Sequence, residues 1–337
     1  MLFSHPKRKL GIDIGTSSIK LVQLRKENET YFLETYGIVN VTYQTAPGVS
    51  FDVLNETAQI LQKLLAKTGA TTKKAVASLP NNIVFVSVIE MPAMNEKELK
   101  SAVEWEARRY VPLPLEEVTL SWSVLKDPLT PTQLKVLLTA VPTTVIDNYL
   151  RMFKLADLEP VALEIEALAL IRALVGPKTE SFIIIDIGAR NTSLNLVDKG
   201  FLRVSRNIAV GGETVTNAIA QSLRISYSRA EQFKHDLGLS VSSRELPSAM
   251  RPIIEGIKNE ALQLIKMYES TGGTIQEIIF AGSGAAIPGL AEYFSSIGVK
   301  VSLGDPLKFV TYPEELRLNL SRVSLGLSVA MGLAMRE

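Results

Sequence analysis

Leu10-Gly11-Ile12-Asp13-Ile14-Gly15-Thr16-Ser17-Ser18-Ile19-Lys20-Leu21-Val22 decides the fold, because Phe182-Ile183-Ile184-Ile185-Asp186-Ile187-Gly188-Ala189-Arg190-Asn191-Thr192-Ser193-Leu194 repeats its design. Each stretch is an apolar run, an Asp-x-Gly turn, small polar residues and a second apolar run. That pattern reads as two strands joined by a tight turn, whose glycine lets backbone N–H groups approach a ligand closely. Consecutive N–H groups in such a turn form an anion cradle, and an aspartate at the strand end can hold a divalent cation through water. One copy opens each half of the 337-residue chain. The repeat predicts two lobes that clamp a nucleotide phosphate chain from opposite sides.

A third element joins them. Ile278-Ile279-Phe280-Ala281-Gly282-Ser283-Gly284 runs a strand into a glycine turn, and a helix with Pro288 in its first turn is expected to follow. There a flat ring and sugar can lie against bare backbone. Gly-Ser-Gly alone is a common loop. The order Asp-x-Gly, Asp-x-Gly, Gly-x-Gly with helices between is far more specific.

Composition narrows the function. With 36 basic and 35 acidic residues the net charge is +1, without the basic excess of a nucleic-acid binder. The absence of cysteine excludes disulfides and thiol chemistry, and two histidines, His5 and His235, disfavour a histidine metal site. No apolar run approaches the roughly 20 residues of a membrane helix. Asp13 and the glycines interrupt the stretch after Met1–Lys9, against a signal peptide. The expected location is the cytoplasm, with membrane attachment only through a partner.

Between the repeats the spacing predicts a strand over 31–42, a loop around Pro47 and Gly48, and a helix over 52–68. From about 74 to 157 the texture changes to strand, helix, strand, strand, helix. Its helix opens at Asn95-Glu96-Lys97-Glu98, a capping-box pattern, and ends at Pro112 and Pro114. We expect a first lobe over 1–73 with 158–178 and 321–337, an inserted subdomain over 74–157, and a second lobe over 179–320. A strand over 201–207, helices over 213–223, 228–236 and 247–270, a strand over 277–281 and a last helix over 321–335 complete the reading.

These motifs resemble the actin-like ATPase superfamily. The resemblance implies an α/β fold of two lobes, each a mixed sheet with helices, that binds ATP and Mg²⁺. Asp13, Gly15 and Lys20 fall where that superfamily has its metal-directing Asp, turn Gly and phosphate-facing Lys, with Thr16, Ser17 and Ser18 in the turn. The second hairpin keeps Asp186 as metal residue with Gly188, Asn191 and Thr192. Ala189 and Arg190 replace the acidic residue and glycine usual there, a departure that implies slow hydrolysis at most. Gly211-Gly212, with Glu231 and Lys234, resembles the ribose and adenine contacts. Ser228 and Glu231 also have capping-box spacing, so Glu231 has a purely structural alternative as a helix closure. Gly282, Ser283 and Gly284 would hold adenosine. Glu164 or Glu166 lies where relatives position the attacking water, although at this spacing both also suit a solvated face.

Met91-Pro92-Ala93-Met94 and the string from Ala102 to Val118 resemble the PilM family of type IV pilus assembly proteins, over nearly the whole chain. That family is similar to the cell-division protein FtsA, including an inserted subdomain in the first lobe. The implied partner is the cytoplasmic tail of a PilN-like single-pass membrane protein, with Arg109, Tyr110, Val111 and Pro112 as candidate contacts and Trp105 expected in the core. The rivals are a small-molecule kinase of the same fold, which needs a carboxylate base facing a substrate pocket, and an FtsA-like filament protein with a basic amphipathic tail.

Overall fold

The computed structural model describes residues 7–41, 51–125, 133–239 and 249–337; the expected loop at Pro47 and Gly48 and the expected helix start at Pro247 lie outside them. The first repeat forms β1 (Lys7–Ile14) and β2 (Ser18–Glu27), followed by β3 (Thr30–Asn40) and α1 (Phe51–Thr68). Next come β4 (Lys74–Leu79), β5 (Phe85–Pro92), α2 (Glu96–Tyr110), β6 (Val118–Leu125), β7 (Gln133–Pro142), α3 (Thr143–Leu155), β8 (Glu159–Ile165) and the short α4 (Glu166–Leu170). The second repeat forms β9 (Phe182–Ile187) and β10 (Thr192–Asp198), then β11 (Phe201–Ile208), α5 (Gly212–Leu223), α6 (Tyr227–Asp236) and α7 (Arg251–Glu269). The chain continues through β12 (Glu277–Ala281), α8 (Leu290–Phe294), β13 (Lys300–Leu303), β14 (Val310–Thr311), α9 (Arg317–Val323) and α10 (Ser328–Ala334).

The duplication extends to the sheets. One has the order β14-β3-β2-β1-β4-β8 and the other β11-β10-β9-β12-β13, so the run from β3 to β8 matches the second sheet strand for strand and β14 is an added edge. In each, a three-stranded meander pairs antiparallel and its first strand pairs parallel with an incoming strand. Parallel neighbours need helical crossovers, which cover the sheet faces.

The segment 74–157 does not stay together. β4 pairs parallel with β1 inside the first large sheet, and α3 packs on α1. A separate three-stranded sheet, β5-β7-β6, and α2 form the inserted unit around Val103, Val136 and Leu138. Lys74–Leu79 is almost wholly buried, as a central parallel strand must be. The capping box of α2 is present, with Asn95 accepting from the Lys97 and Glu98 N–H groups.

The expected last helix is broken. α9 gives way to a 3₁₀ turn over Ser324–Leu327 before α10 begins. The Gly282 N–H donates to the Leu325 carbonyl at 3.1 Å, drawing this turn onto the glycine loop. α10 then lies tightly against β1 and α4. A Cβ at Gly11 would sit 1.9 Å from the Ala330 carbonyl oxygen, and one at Gly332 1.9 Å from that of Ala169.

Candidate functional site

The two hairpins close their turns identically. The Gly15 N–H donates to the Ser18 carbonyl at 3.0 Å and the Gly188 N–H to the Asn191 carbonyl at 2.9 Å. A Cβ at either glycine would stand 3.0 Å from that same carbonyl oxygen, so both turns are equally tight. The turns face each other across a cleft between the two large sheets. Thr16, Ser17 and Ser18 line it from one side, and Ala189, Arg190 and Asn191 from the other.

Register places the charged groups. Asp13 opposes Lys20 across the first hairpin, and Asp186 opposes Ser193 across the second. Lys20 Nζ lies 2.9 Å from Asp13 Oδ2, while Ser78 of β4 donates to Asp13 Oδ1 at 3.0 Å. Glu166, at the start of α4, joins Asp13 and Asp186 in the cleft wall. Burial, then the charge of Asp13, pushes the Asp186 carboxyl up to about 6. Burial, then Asp13 and Asp186, pushes Glu166 well above the carboxylate range, against the opposing pull of Lys20 and the Asn81 N–H. Burial acts to lower Lys20, but Asp13, Asp186 and Glu166 outweigh it and raise its pKa. A cleft whose carboxylates are forced toward protonation has a deficit of positive charge. Hard oxygen donors in such a field suit a Mg²⁺ ion that keeps several waters and shares phosphate oxygens. Among the described residues no cluster of three His, Cys, Asp or Glu side chains is placed to hold a metal ion.

At the glycine-loop end, Gly282 adopts φ +82° and lines the cleft with Ser283. A Cβ at Gly282 would meet Asp186 Oδ1 at 2.3 Å, and one at Gly284 would meet Ile187 Cγ2 at 2.5 Å. The third cassette therefore closes directly on the second. Gly212 opens α5 beside it: its N–H donates to the Gly188 carbonyl at 2.9 Å, and a Cβ there would lie 3.6 Å from Gly284 Cα. Lys234 is buried and donates to the Gly212 carbonyl at 3.2 Å, Thr216 Oγ1 at 2.8 Å and Glu231 Oε2 at 2.8 Å. Burial opposes ionisation of Glu231, yet the bonds from Lys234 and Thr216 hold its carboxyl below the usual range. Gly211 lies against the Ala189 carbonyl and donates to Thr214 Oγ1.

Several expected roles are redistributed. Glu164 is not in the cleft: it is buried, 2.7 Å from Arg172 Nη2 and 3.5 Å from Arg336 Nε. Two residues apart, the pair would share one face of a continuous strand, but β8 ends at Ile165 and Glu166 opens α4, which turns it into the cleft. Thr192 is fully buried, donating to the Val210 carbonyl at 2.7 Å, so it fastens the hairpin. Glu231 does not close its helix; Ser226 is the N-cap, accepting from the Arg229 N–H. Arg190 pairs with Glu213 at 3.0 Å at the cleft edge. Trp105 is 63% exposed rather than in the core, and Tyr110 is 46% exposed. Arg109 and Pro112 are exposed and Val111 is buried. Ser78, Asn81, Ser193 and Asn207 went unread. Ser193 carried a signal, since it stands seven residues after Asp186 as Lys20 does after Asp13.

Fold and cleft together define the two-lobed actin-like ATPase fold, with an FtsA-like insertion in the first lobe. The family model described as type IV pilus assembly protein PilM matches residues 11–337, and the chain belongs to that family. The structure of a PilM–PilN type IV pilus biogenesis complex superposes with a TM-score of 0.84 at 26% identity, over 97% of this chain and 98% of that one. FtsA of Enterococcus hirae is 25% identical over 353 residues, 88% of this chain and 78% of its own length. MreB 5 of Spiroplasma citri, solved bound to AMPPNP, shares the fold with a TM-score of 0.57 at 15% identity, over 98% and 96% of the two chains. Among the described residues no helix is long and apolar enough to cross a membrane.

Proposed function

We propose that this chain binds ATP with Mg²⁺ between its lobes and serves type IV pilus assembly by holding the cytoplasmic tail of a PilN-like inner-membrane protein. The observation that carries the reading is the convergence of Asp13, Asp186 and Lys20 between two identically closed turns. In this reading Asp13 and Asp186 direct the cation, and Lys20 neutralises phosphate oxygens. The turn residues Gly15, Thr16, Ser17, Ser18, Gly188 and Asn191 cradle the chain of phosphates. Gly211, Gly212, Glu231, Lys234, Gly282, Ser283 and Gly284 hold the nucleoside. The ion would supply charge neutralisation of the phosphates. Glu166 is the carboxylate positioned to orient water, and Arg190, drawn to Glu213, fills the place where a smaller residue would let phosphates lie closer. Binding matters more than turnover here.

The tail docks beside the inserted sheet. β6 is an outer strand there, with Thr119, Ser121 and Ser123 exposed, and an extended peptide can add to such an edge. Arg109, Tyr110 and Pro112 supply side-chain contacts at the exit of α2, with Val111 anchoring them in the core. Nucleotide between the lobes biases their relative orientation and so the presentation of this surface. The protein would then work in the cytoplasm, at the inner membrane through its partner. Calorimetry with Mg²⁺–ATP and with a PilN-type tail peptide tests the reading; absence of both heats overturns it.

A further inference from the structure

Loop 80–83 joins β4 of the first large sheet to β5 of the inserted sheet. Its residues Pro80, Asn81, Asn82 and Ile83 all line the nucleotide cleft. Cleft carboxylates flank this loop: Ser78, two residues before it, donates to Asp13, and Glu166 stands with Asn81 in the cleft wall. From the opposite lobe, Asn207 Nδ2 donates to the Asn81 carbonyl at 3.2 Å, and β11 lies against β5. The Asn81 backbone is therefore engaged from the second lobe.

Its side chain is not. Asn81 is 7% exposed, and its Nδ2 is buried with no hydrogen-bond partner. Buried amide donors are nearly always paired, and an orphan in the wall of a binding cleft is a donor kept for a ligand. A phosphate oxygen is the matching acceptor, since a bond to an ionised group is stronger than one between neutral groups. The position beside Glu166, away from Gly212 and Lys234, is the phosphate end of the cleft.

We propose that Asn81 ligates the terminal phosphate of the bound nucleotide and that loop 80–83 passes this contact to the inserted sheet. The inference rests on the nucleotide reading above and adds how ATP is told from ADP. Loss of the terminal phosphate frees the Asn81 side chain, and the loop's hold on β5 relaxes with it. The surface offered by β5, β7 and β6 then differs between the two nucleotide states.

The test uses the full chain with Mg²⁺ and either ATP or ADP. In Asn81→Ala the bond from Asn207 to the backbone carbonyl persists, so the fold is kept. We expect ATP affinity to fall about tenfold while ADP affinity stays within about twofold. Hydrogen exchange of 85–92 and 133–142, slower with ATP than with ADP in the wild type, should become equal in the variant. Should Asn81→Ala melt early, Asn81→Asp keeps the volume and repels phosphate, and must weaken ATP more than ADP. Equal losses for both nucleotides, or none, overturn the proposal. If the wild type binds neither nucleotide, the nucleotide reading itself falls.

Discussion

Asp13 and Lys20 face each other across the first hairpin at 2.9 Å, and the same seven-residue step in the second hairpin sets Asp186 against Ser193. The repeat has thus been kept in backbone and broken in charge. Lys20 answers Asp13, Asp186 and Glu166 together. A bound cation would relieve what Lys20 leaves unbalanced.

Asp13→Ala should abolish the Mg²⁺ dependence of ATP binding. It also strands a buried ammonium, and breaking such a pair costs about 3–5 kcal/mol. Asp13→Asn keeps the shape and separates the two effects. Calorimetry with and without Mg²⁺, beside a melting curve, decides; unchanged metal dependence in the Asn variant would remove Asp13 from the site.

Asp186 gives the metal-free protein a pH signature. Its folded pKa of about 6 lies above the ordinary 3.8, so the folded state binds more protons between those values. Stability is then highest below the unfolded value and falls as pH rises to about 6, by on the order of 3 kcal/mol at one unit per 1.36 kcal/mol. Asp186→Asn removes this penalty. It should melt above the wild type at pH 7.5 without metal, with the gap closing toward pH 4; a gap independent of pH contradicts the assignment.

Turnover should be slow. Ala189 and Arg190 stand where the resemblance to the superfamily implies an acidic residue and a glycine, and Arg190 is held at the cleft edge by Glu213. Steady-state phosphate release is expected well below the roughly 1–10³ per second of ordinary enzymes. A rate inside that range, from protein freed of contaminating ATPases, counts against the reading.

Arg109→Ala and Tyr110→Ala should each weaken binding of the tail peptide by about fivefold or more, as truncating an exposed anchor does. Both side chains lie on α2, outside the residues lining the cleft, so ATP affinity should not change. Wild-type peptide affinity in both variants would move the docking site elsewhere.

Gly11→Ala tests the closest approach in the fold. Its Cβ would overlap the Ala330 carbonyl at 1.9 Å, and backbone on both sides leaves no soft atom to yield. Overpacking of this kind costs about 3 kcal/mol. Little change in melting temperature would mean that α10 does not sit tightly on β1.

What the sequence made legible follows local patterning. The hairpins, the glycine loop and α2 each carry their own turn or cap chemistry, so Asp13, Gly15, Gly188 and Asn95 could be read in place. Lys74–Leu79 could not: a buried parallel strand is a plain apolar run, and only its pairing with β1 says which sheet it joins. β8 is an edge strand buried only toward its end, so it carries no sustained two-residue pattern, and Glu164 on it lies outside the cleft lining. Trp105 misled because size alone argued for the core, whereas Val103 and Ala107 are the residues that turn inward on α2. Asn81 gave no signal, since its role depends on two lobes meeting around it.

The seating of α10 on β1 has a consequence for biosynthesis. β1 leaves the ribosome long before the helix that covers it, because α10 is made only after the second lobe. Until residues 328–334 emerge, the face of β1 that Gly11 turns toward α10 has no cover, and the N-terminal sheet waits half-built while its counterpart assembles. The first lobe can therefore complete its packing only once the residues after the second lobe have been made. Ribosome-stalled chains ending before Ser328 should be cut by protease within the first lobe while the second resists.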